Sequence, residues 1–485
     1  MTATVKEEFR FFNVRNMISA LSGTDTLYLG IGKPYYWNIA GSSDATPDFP
    51  KNTVSSVLDD WEDMMAMKRV YTSDISHAIF LEAWATNTKY DDYRHNYDGS
   101  VPSVYNGANP FTALPGSLFE TKWYVVNSAK DVYVCVKQGK VSGVVQASTN
   151  SPETGIPVGT NTGMVKCADG YVWKLIARCS LANQIKFQTT TFLPIKTLTS
   201  APEPVDHYYA QWIAQQTSKA HKGGIYNISI LNGGSGYNGG SAGTRNVTDA
   251  EGDAQFRVIG DGTGLKYTVT YITGGVVSDI EITDPGSGYT HATISATGGT
   301  GGSFLAHLTK ELGADPVADL NAYYATIGVE LDSDVGGDFT TANDYRKVVL
   351  VSNPFNYGTS IISTAVTMDA TTRLTLTGES GTFGDDSIIT ATGGIKGRMV
   401  DWNNTTKKMR VIRTKNENAG EVGANNAFAN GQSITASTGG GTGTISSVAV
   451  PEVEPKSGNI LYTEYRRPVA RAPAQTENIK IIIEM

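Results

Sequence analysis

Chemistry is sparse along this chain, and its few candidate residues can be weighed one at a time. A single Gly-x-Ser-x-Gly run occurs, Gly239-Gly240-Ser241-Ala242-Gly243. That spacing exposes a nucleophilic serine when it sits on a sharp strand-to-helix turn. Here it lies among glycines and runs into Thr244-Arg245-Asn246, so an open turn is expected. The six histidines, His77, His95, His207, His221, His291 and His307, are scattered. Imidazole holds a metal only where further ligands converge on it, and no ligand spacing joins these, so structural roles are expected. Asp332, Asp334 and Asp338 alternate like the first half of a calcium loop. The twelfth position is Asn343, where such a loop needs a bidentate glutamate, so an acidic, solvated turn is expected. Residues 90–99 (YDDYRHNYDG) pair aromatic faces with carboxylate acceptors, a composition that suits sugar stacking, although an ordinary interface loop accounts for it more simply. Arg466, Arg467 and Arg471, spaced by prolines, suggest salt bridges to a partner chain rather than contacts to DNA.

The remaining catalytic signatures are missing. The sequence holds no phosphate-binding GxxxxGK[ST] run, no HExxH pair and no zinc-deaminase signature. Cys135, Cys167 and Cys179 are odd in number and form no CxxC pair, which argues against a disulfide framework and a zinc site. No catalytic, cofactor-binding or metal-binding residue is assigned, and the protein is expected to be no enzyme and to need no cofactor.

The elements around these residues read mainly as strands. Residues 25–37 (DTLYLGIGKPYYW) alternate Leu27, Leu29 and Ile31 and stop at a Gly-Lys-Pro turn. Residues 53–70 place Val54, Val57, Leu58, Trp61, Met64 and Met65 at helical spacing, with Thr53 as N-cap and Lys68 and Arg69 in the last turn. Residues 123–137 predict two strands about an Asn-Ser turn, residues 169–176 a strand leaving an Asp-Gly turn, and residues 346–352 another strand. The stretch 225–237 (IYNISILNGGSGY) recurs as 277–289 (VSDIEITDPGSGY), with Ile228, Ile230, Gly236 and Tyr237 matching Ile280, Ile282, Gly288 and Tyr289 at a constant offset of 52. Gly-Thr-Gly marks 262–264, 299–301 and 441–443. The C-terminal arm carries Pro468 and Pro473 and ends in a predicted strand. On one face of it stand Ile479, Ile481 and Ile483; on the other, Lys480, Ile482 and Glu484.

Composition bounds the class. The 485 residues carry 39 Lys+Arg against 47 Asp+Glu, a net charge of −8, which leaves no basic excess for phosphates. Charged residues make up only 18% while glycine reaches 52 and apolar residues 40%, the profile of a turn-rich β protein with real cores. No apolar run approaches the ~18 residues that cross a bilayer, and the first residues lack a signal-peptide core. The expected fold is mainly β with a few helices (α+β), a β-sandwich-like core interrupted by two inserted Gly-rich β-modules. Its parts are residues 1–223 and 314–363 (core), 224–313 (module with the GSGY repeats), 364–450 (second module) and 451–485 (C-terminal arm and strand completing the core).

Five segments in order then resemble one family: DTLYLGIGKPYYW at 25–37, WEDMM at 61–65, DGYVW at 169–173, VSNPFNYG at 351–358 and GNILYTEYRRPVARAPAQTENIKIIIEM at 458–485. Together they resemble the baseplate wedge subunit of contractile-tailed, myovirus-type phages, known as gene product eight. The resemblance covers residues 1–223, 314–363 and 451–485, and the two modules have no counterpart in the best-known member. It implies a non-enzymatic virion protein that forms homodimers and links other baseplate wedge proteins and a peripheral fibre-associated protein. It also implies localisation in the tail baseplate after synthesis in the host cytoplasm, with no nucleic acid bound and no membrane insertion. Two alternatives stand beside it: a host-glycan-binding tail adhesin and a glycan-cleaving tail protein.

Overall fold

A computed structural model of the chain describes residues 7–34, 46–93, 122–141, 144–159, 162–248, 256–309, 311–331, 343–412, 427–472 and 475–485. The fold is mostly β, mixed α+β, with one closed barrel and several open sheets. The chain divides into two compact units. One comprises Met1–Val14, Ser76–Thr326 and Ile482–Met485; the other comprises Arg15–Ile75 and Ile327–Ile481.

The second unit is organised on a five-stranded sheet in the order Thr367–Asp369, Met64–Val70, Leu27–Gly32, Asn343–Ser352, Asn459–Arg471. Its central strand, LYLGIG, is buried at all six positions, so the polar half of an alternating pattern is absent because neither face meets water. Gly30 lets the Met64 thioether lie close to the strand, where a Cβ would stand 2.5 Å from its sulfur and displace it. Thr53 does cap the following helix, its Oγ1 accepting from Ser56 N at 3.2 Å. That helix spans only Val54–Glu62, however, and Met64–Val70 is a strand rather than its continuation. Met64, Met65, Ala66 and Met67 are all buried there, with Met67 opposite Gly30. A short unbroken apolar run fits a two-sided buried strand as well as a helix, and pairing with the central strand decides between them. Lys68 and Arg69 accordingly stand on a strand and not in a last helical turn.

The expected proline-rich arm is also corrected. Asn459–Arg471 is a thirteen-residue strand antiparallel to Asn343–Ser352. Its register shifts between Tyr345/Val469 and Lys347/Tyr465, so Pro468 falls at a bulge, where a missing N–H breaks no ladder bond. The closed barrel follows the order Thr372–Ser380, Lys408–Ile412, Lys396–Asn403, Ile388–Ala391, Ser433–Ala436, Thr442–Ala449. It is filled by Leu374, Leu376, Ile389, Met399, Met409, Val411, Ile434 and Ile445.

In the first unit, a five-stranded sheet runs Tyr124–Val126, Asp131–Lys137, Val172–Arg178, Met164–Lys166, Ile156–Val158. The Asn-Ser turn is as expected, with Asn127 Oδ1 accepting from Asp131 N at 2.8 Å. The repeat region has its own core of Ile225, Tyr237, Phe256, Leu265, Tyr267, Tyr271, Ile280 and Tyr289 among others. Ile225–Ser235 pairs with Thr300–Leu308, and Val276–Ser287 pairs with Thr263–Ile272. The two GSGY copies lock each other reciprocally. Gly236 N donates to Gly274 O at 2.8 Å and Tyr237 N to Gly275 O at 3.1 Å, while Gly288 N donates to Lys222 O at 2.8 Å and Tyr289 N to Gly223 O at 3.1 Å. The 52-residue offset carries Lys222-Gly223 onto Gly274-Gly275, so one contact is made twice. Each buried tyrosine lies over a Gly-Thr-Gly run: a Cβ on Gly299 would stand 2.5 Å from the Tyr237 ring, and Gly262 lies equally tightly under Tyr289.

The C-terminal strand, Glu477–Glu484, runs beside Tyr324–Leu331. Ile479 and Ile481 are 2% and 1% exposed, whereas Ile483, expected on the same buried face, is half-buried. Two buried isoleucines contribute roughly 3–6 kcal/mol, a large fraction of the ~5–15 kcal/mol that holds a domain. Deleting residues 476–485 should therefore yield aggregated protein on gel filtration, while Lys480→Ala should change the unfolding free energy measured in urea by under about 1 kcal/mol.

Candidate functional site

The residues that chemistry singled out in the sequence do not converge. Gly239 and Gly240 hold positive φ in a short turn, and a strand, Gly243–Thr248, follows in place of a helix. The Gly-x-Ser-x-Gly run is a turn, without the geometry of a nucleophile elbow. The described histidines have separate partners. His77 Nδ1 lies 3.1 Å from Ala322 O, His221 Nδ1 2.8 Å from Thr217 O, His291 Nδ1 3.4 Å from Asp261 and His307 Nε2 2.7 Å from Ser229 Oγ. His207 stacks edge-on against Tyr208, and His95 lies outside the described residues. Among the described residues no three His, Cys, Asp or Glu side chains are grouped to hold a metal ion. Asp332, Asp334 and Asp338 lie outside the described residues; Asn343 accepts from Lys33 Nζ at 2.9 Å.

Of the tyrosine-rich stretch, 94–99 lies outside the described residues. Tyr90 is buried edge-on against Trp173, and its hydroxyl takes the Ala85 N–H at 2.7 Å, so it belongs to a core. Of the arginine cluster, Arg466 pairs with Glu464 at 2.7 Å and buried Arg471 with Glu477 at 3.3 Å within the chain. Cys135, Cys167 and Cys179 are free and buried, and burial pushes all three thiols up, away from the reactive thiolate.

The structure does assemble charges that the sequence leaves far apart. In the second unit, Lys33 lies 2.8 Å from Asp344 and 3.1 Å from Asp386. Arg346 lies 2.9 Å and 3.5 Å from the same two carboxylates. Lys347 reaches Asp63 at 2.7 Å and Asp60 at 3.0 Å, and Arg398 meets Asp63 at 3.5 Å while donating to Lys33 O. Asp60 also accepts from Thr463 at 3.0 Å and Tyr465 at 3.2 Å. Lys33, Arg346, Lys347 and Arg398 are each at most 3% exposed. Four cations thus face four carboxylates, and no net charge remains for a substrate. Burial by itself would depress the Lys347 ammonium, but Asp63 and Asp60 outweigh it and hold its pKa above the ordinary value. Such an arrangement is a set of charges matched within the chain. It ties the end of the short helix, two sheet strands and the barrel strand Lys396–Asn403 together.

In the first unit a buried lysine has no ion pair at contact distance among the described residues, the nearby Asp319 only partly offsetting its burial. Lys174 is 0% exposed, its amine donating to Thr162 O at 2.8 Å beneath the Tyr226 ring, 4.8 Å away. Burial lowers its pKa to about 7. Asp319, which accepts from Gly313 N at 2.7 Å and Asp315 N at 3.2 Å, is pushed up to about 7 by burial. The sequence carried no sign of either role, because a lysine inside WKLI reads as the solvent face of a strand.

No protein-family model matches the chain, and no curated protein is significantly similar to it in sequence.

Two stability measurements separate the charge sites. Lys347→Met should cost about 3–5 kcal/mol in urea unfolding, because it strands Asp60 and Asp63. Lys174→Met should instead stabilise, by about 1–4 kcal/mol near pH 6. The Lys174 amine titrates near 7 when folded and near ~10.4 when unfolded. The unfolded state therefore binds more protons across that window, and wild-type stability rises with pH through it. The gain from Lys174→Met should be full below pH 7 and fade toward pH 10.

Proposed function

We propose that this protein is a non-enzymatic structural component of a phage tail baseplate wedge, which dimerises and links neighbouring wedge proteins. What supports the reading is where the resembling segments lie. DTLYLGIG forms the central strand of the five-stranded sheet. WEDMM ends the short helix and opens the strand on one side of it, while Val351 and Ser352 close the strand on the other. GNILYTEYRRPVAR supplies the long strand next to that. Four of the five segments, dispersed over more than four hundred residues, thus contribute to one sheet, as expected if the resemblance follows a shared core, while DGYVW and the terminal ENIKIIIE lie in other sheets.

On this reading the sheets make a sandwich-like core, and residues 224–313 and 364–450 are Gly-rich β-modules inserted into it. The barrel's crossings are clasped accordingly: Asp369 bonds to Arg410 at 3.0 Å near the entry, and Arg373 to Glu452 at 3.2 Å joins entry to exit. The buried charges favour a structural role, since they are matched within the chain. The modules would be the outward-facing parts, set against a neighbour or the host surface.

Light scattering coupled to gel filtration should give twice the 51.8 kDa chain mass at micromolar concentration. A strict monomer that also recruits nothing from a lysate of tail-forming virions would overturn the reading.

A further inference from the structure

The module of residues 224–309 closes on itself with the help of Lys222 and Gly223, yet it sits on the sheet of its own unit through contacts of an unusual kind. Its interior is closed by the reciprocal GSGY exchange and its own core. The chain enters and leaves through one narrow stem, where Ile225 pairs with Leu308 and Thr309 donates to Gly224 O through both its N–H, at 3.2 Å, and its hydroxyl, at 3.0 Å. Glycines with positive φ, Gly223 (69°) and Gly313 (96°), flank that stem. Outside it, the seam is mainly polar. Lys137 pairs with Asp279 and donates to Ile280 O at 2.8 Å, Lys166 pairs with Glu281, and Asn227 donates to Asp92 at 3.1 Å. Its apolar part centres on Tyr226, set against Val136, Val158, Met164 and Val172, with Ile280 and Ile282 beside it. Water-sized cavities lie on both sides of that ring, and its hydroxyl, though buried, has no hydrogen-bond partner among the described residues. Each missing contact or hydrogen bond weakens that seat.

We propose that residues 224–309 form a hinged body, docked on the Ile156–Val158, Met164–Lys166 and Asp131–Lys137 strands by ion pairs and able to swing on its glycine stem while both parts stay folded. The seam is its weakest plane: two part-exposed ion pairs are screened by salt, and the one aromatic seat is imperfectly filled. The buried Lys174 amine beneath Tyr226 adds to the cost of the docked state. The inference concerns the module's attachment and holds whether or not the chain serves in a baseplate.

The test uses the full chain with Val158→Cys, which puts a thiol under Tyr226, and follows its reaction with an aromatic disulfide reagent. The native Cys135, Cys167 and Cys179, all buried, report global unfolding in the same sample. Position 158 should react well ahead of those three. Raising salt from 50 mM to 1 M, or introducing Lys137→Ala with Lys166→Ala at low salt, should speed it roughly tenfold, the worth of two such pairs. Reaction no faster than the native cysteines would show one cooperative unit and overturn the proposal, as would a rate indifferent to both salt and the lysines. Met164→Cys reads the same seam should Val158→Cys fail to fold.

Discussion

Charge that has been taken out of water must be answered by opposite charge at contact distance, and much of the second unit follows from that demand. A buried, unpaired ammonium or carboxylate costs several kcal/mol, so Lys33, Arg346, Lys347 and Arg398 cannot be placed independently of Asp60, Asp63, Asp344 and Asp386. These residues come from the end of the central strand, the end of the short helix, a sheet strand, the approach to a barrel strand and the barrel wall. Neutrality is reached only when all of these arrive together. The apolar core tolerates many near-equivalent packings; the charge cluster tolerates few. We attribute to it the fixed register of Asn343–Ser352, where a slip of one residue would turn Lys347 away from Asp60 and Asp63 and into the apolar layer.

The repeat region solves a different problem with little charge. A strand–turn unit of this size has too little apolar surface to stand alone. The offset copies meet the shortfall by completing each other: the turn of each bonds to the start of the other, and the tyrosine of each covers a Gly-Thr-Gly run. Glycine is demanded at Gly262 and Gly299 by the overlying rings, not by turn geometry. That explains why two signatures separated in sequence occur together in the same region.

Legibility in the sequence followed the physics of each element. Strands whose patterns were complete locally, such as residues 123–137 and 169–176, were readable because turn chemistry and periodicity agreed. The Met64–Val70 strand was not, since an unbroken methionine-rich run carries no period once both faces are buried. Nor was the helix Tyr209–Ala220. It buries Gln211, Gln215 and Ser218 and exposes Ile213, the reverse of an amphipathic pattern. Its glutamines serve as backbone partners: Gln211 accepts from Arg178 N at 2.8 Å and donates to Lys196 O at 2.8 Å, and Gln215 accepts from Leu198 N at 3.1 Å. A helix that satisfies the edges of a sheet must be polar inward, and its sequence then reads as surface. The buried charges were hidden for a related reason. A sequence displays Lys33 or Arg398 as solvated until the partner hundreds of residues away is known.

The two modes of attachment differ in consequence. The barrel is joined to its unit by buried, multiply bonded charges: Arg398 is fully enclosed and Asp369 is 0% exposed. Screening by salt reaches such pairs weakly, so loosening the barrel means exposing several uncompensated ions at once, a cost comparable to unfolding. The repeat module relies on Lys137–Asp279 and Lys166–Glu281, whose side chains retain 18–41% of their exposure, on His221 set 3.5 Å from Asp284, and on a small apolar seat around Tyr226. Both regions are rich in glycine and strand, and composition alone would treat them as equivalent appendages. Placement of charge separates them, making the barrel an integral wall of its unit and the repeat module the part that can move.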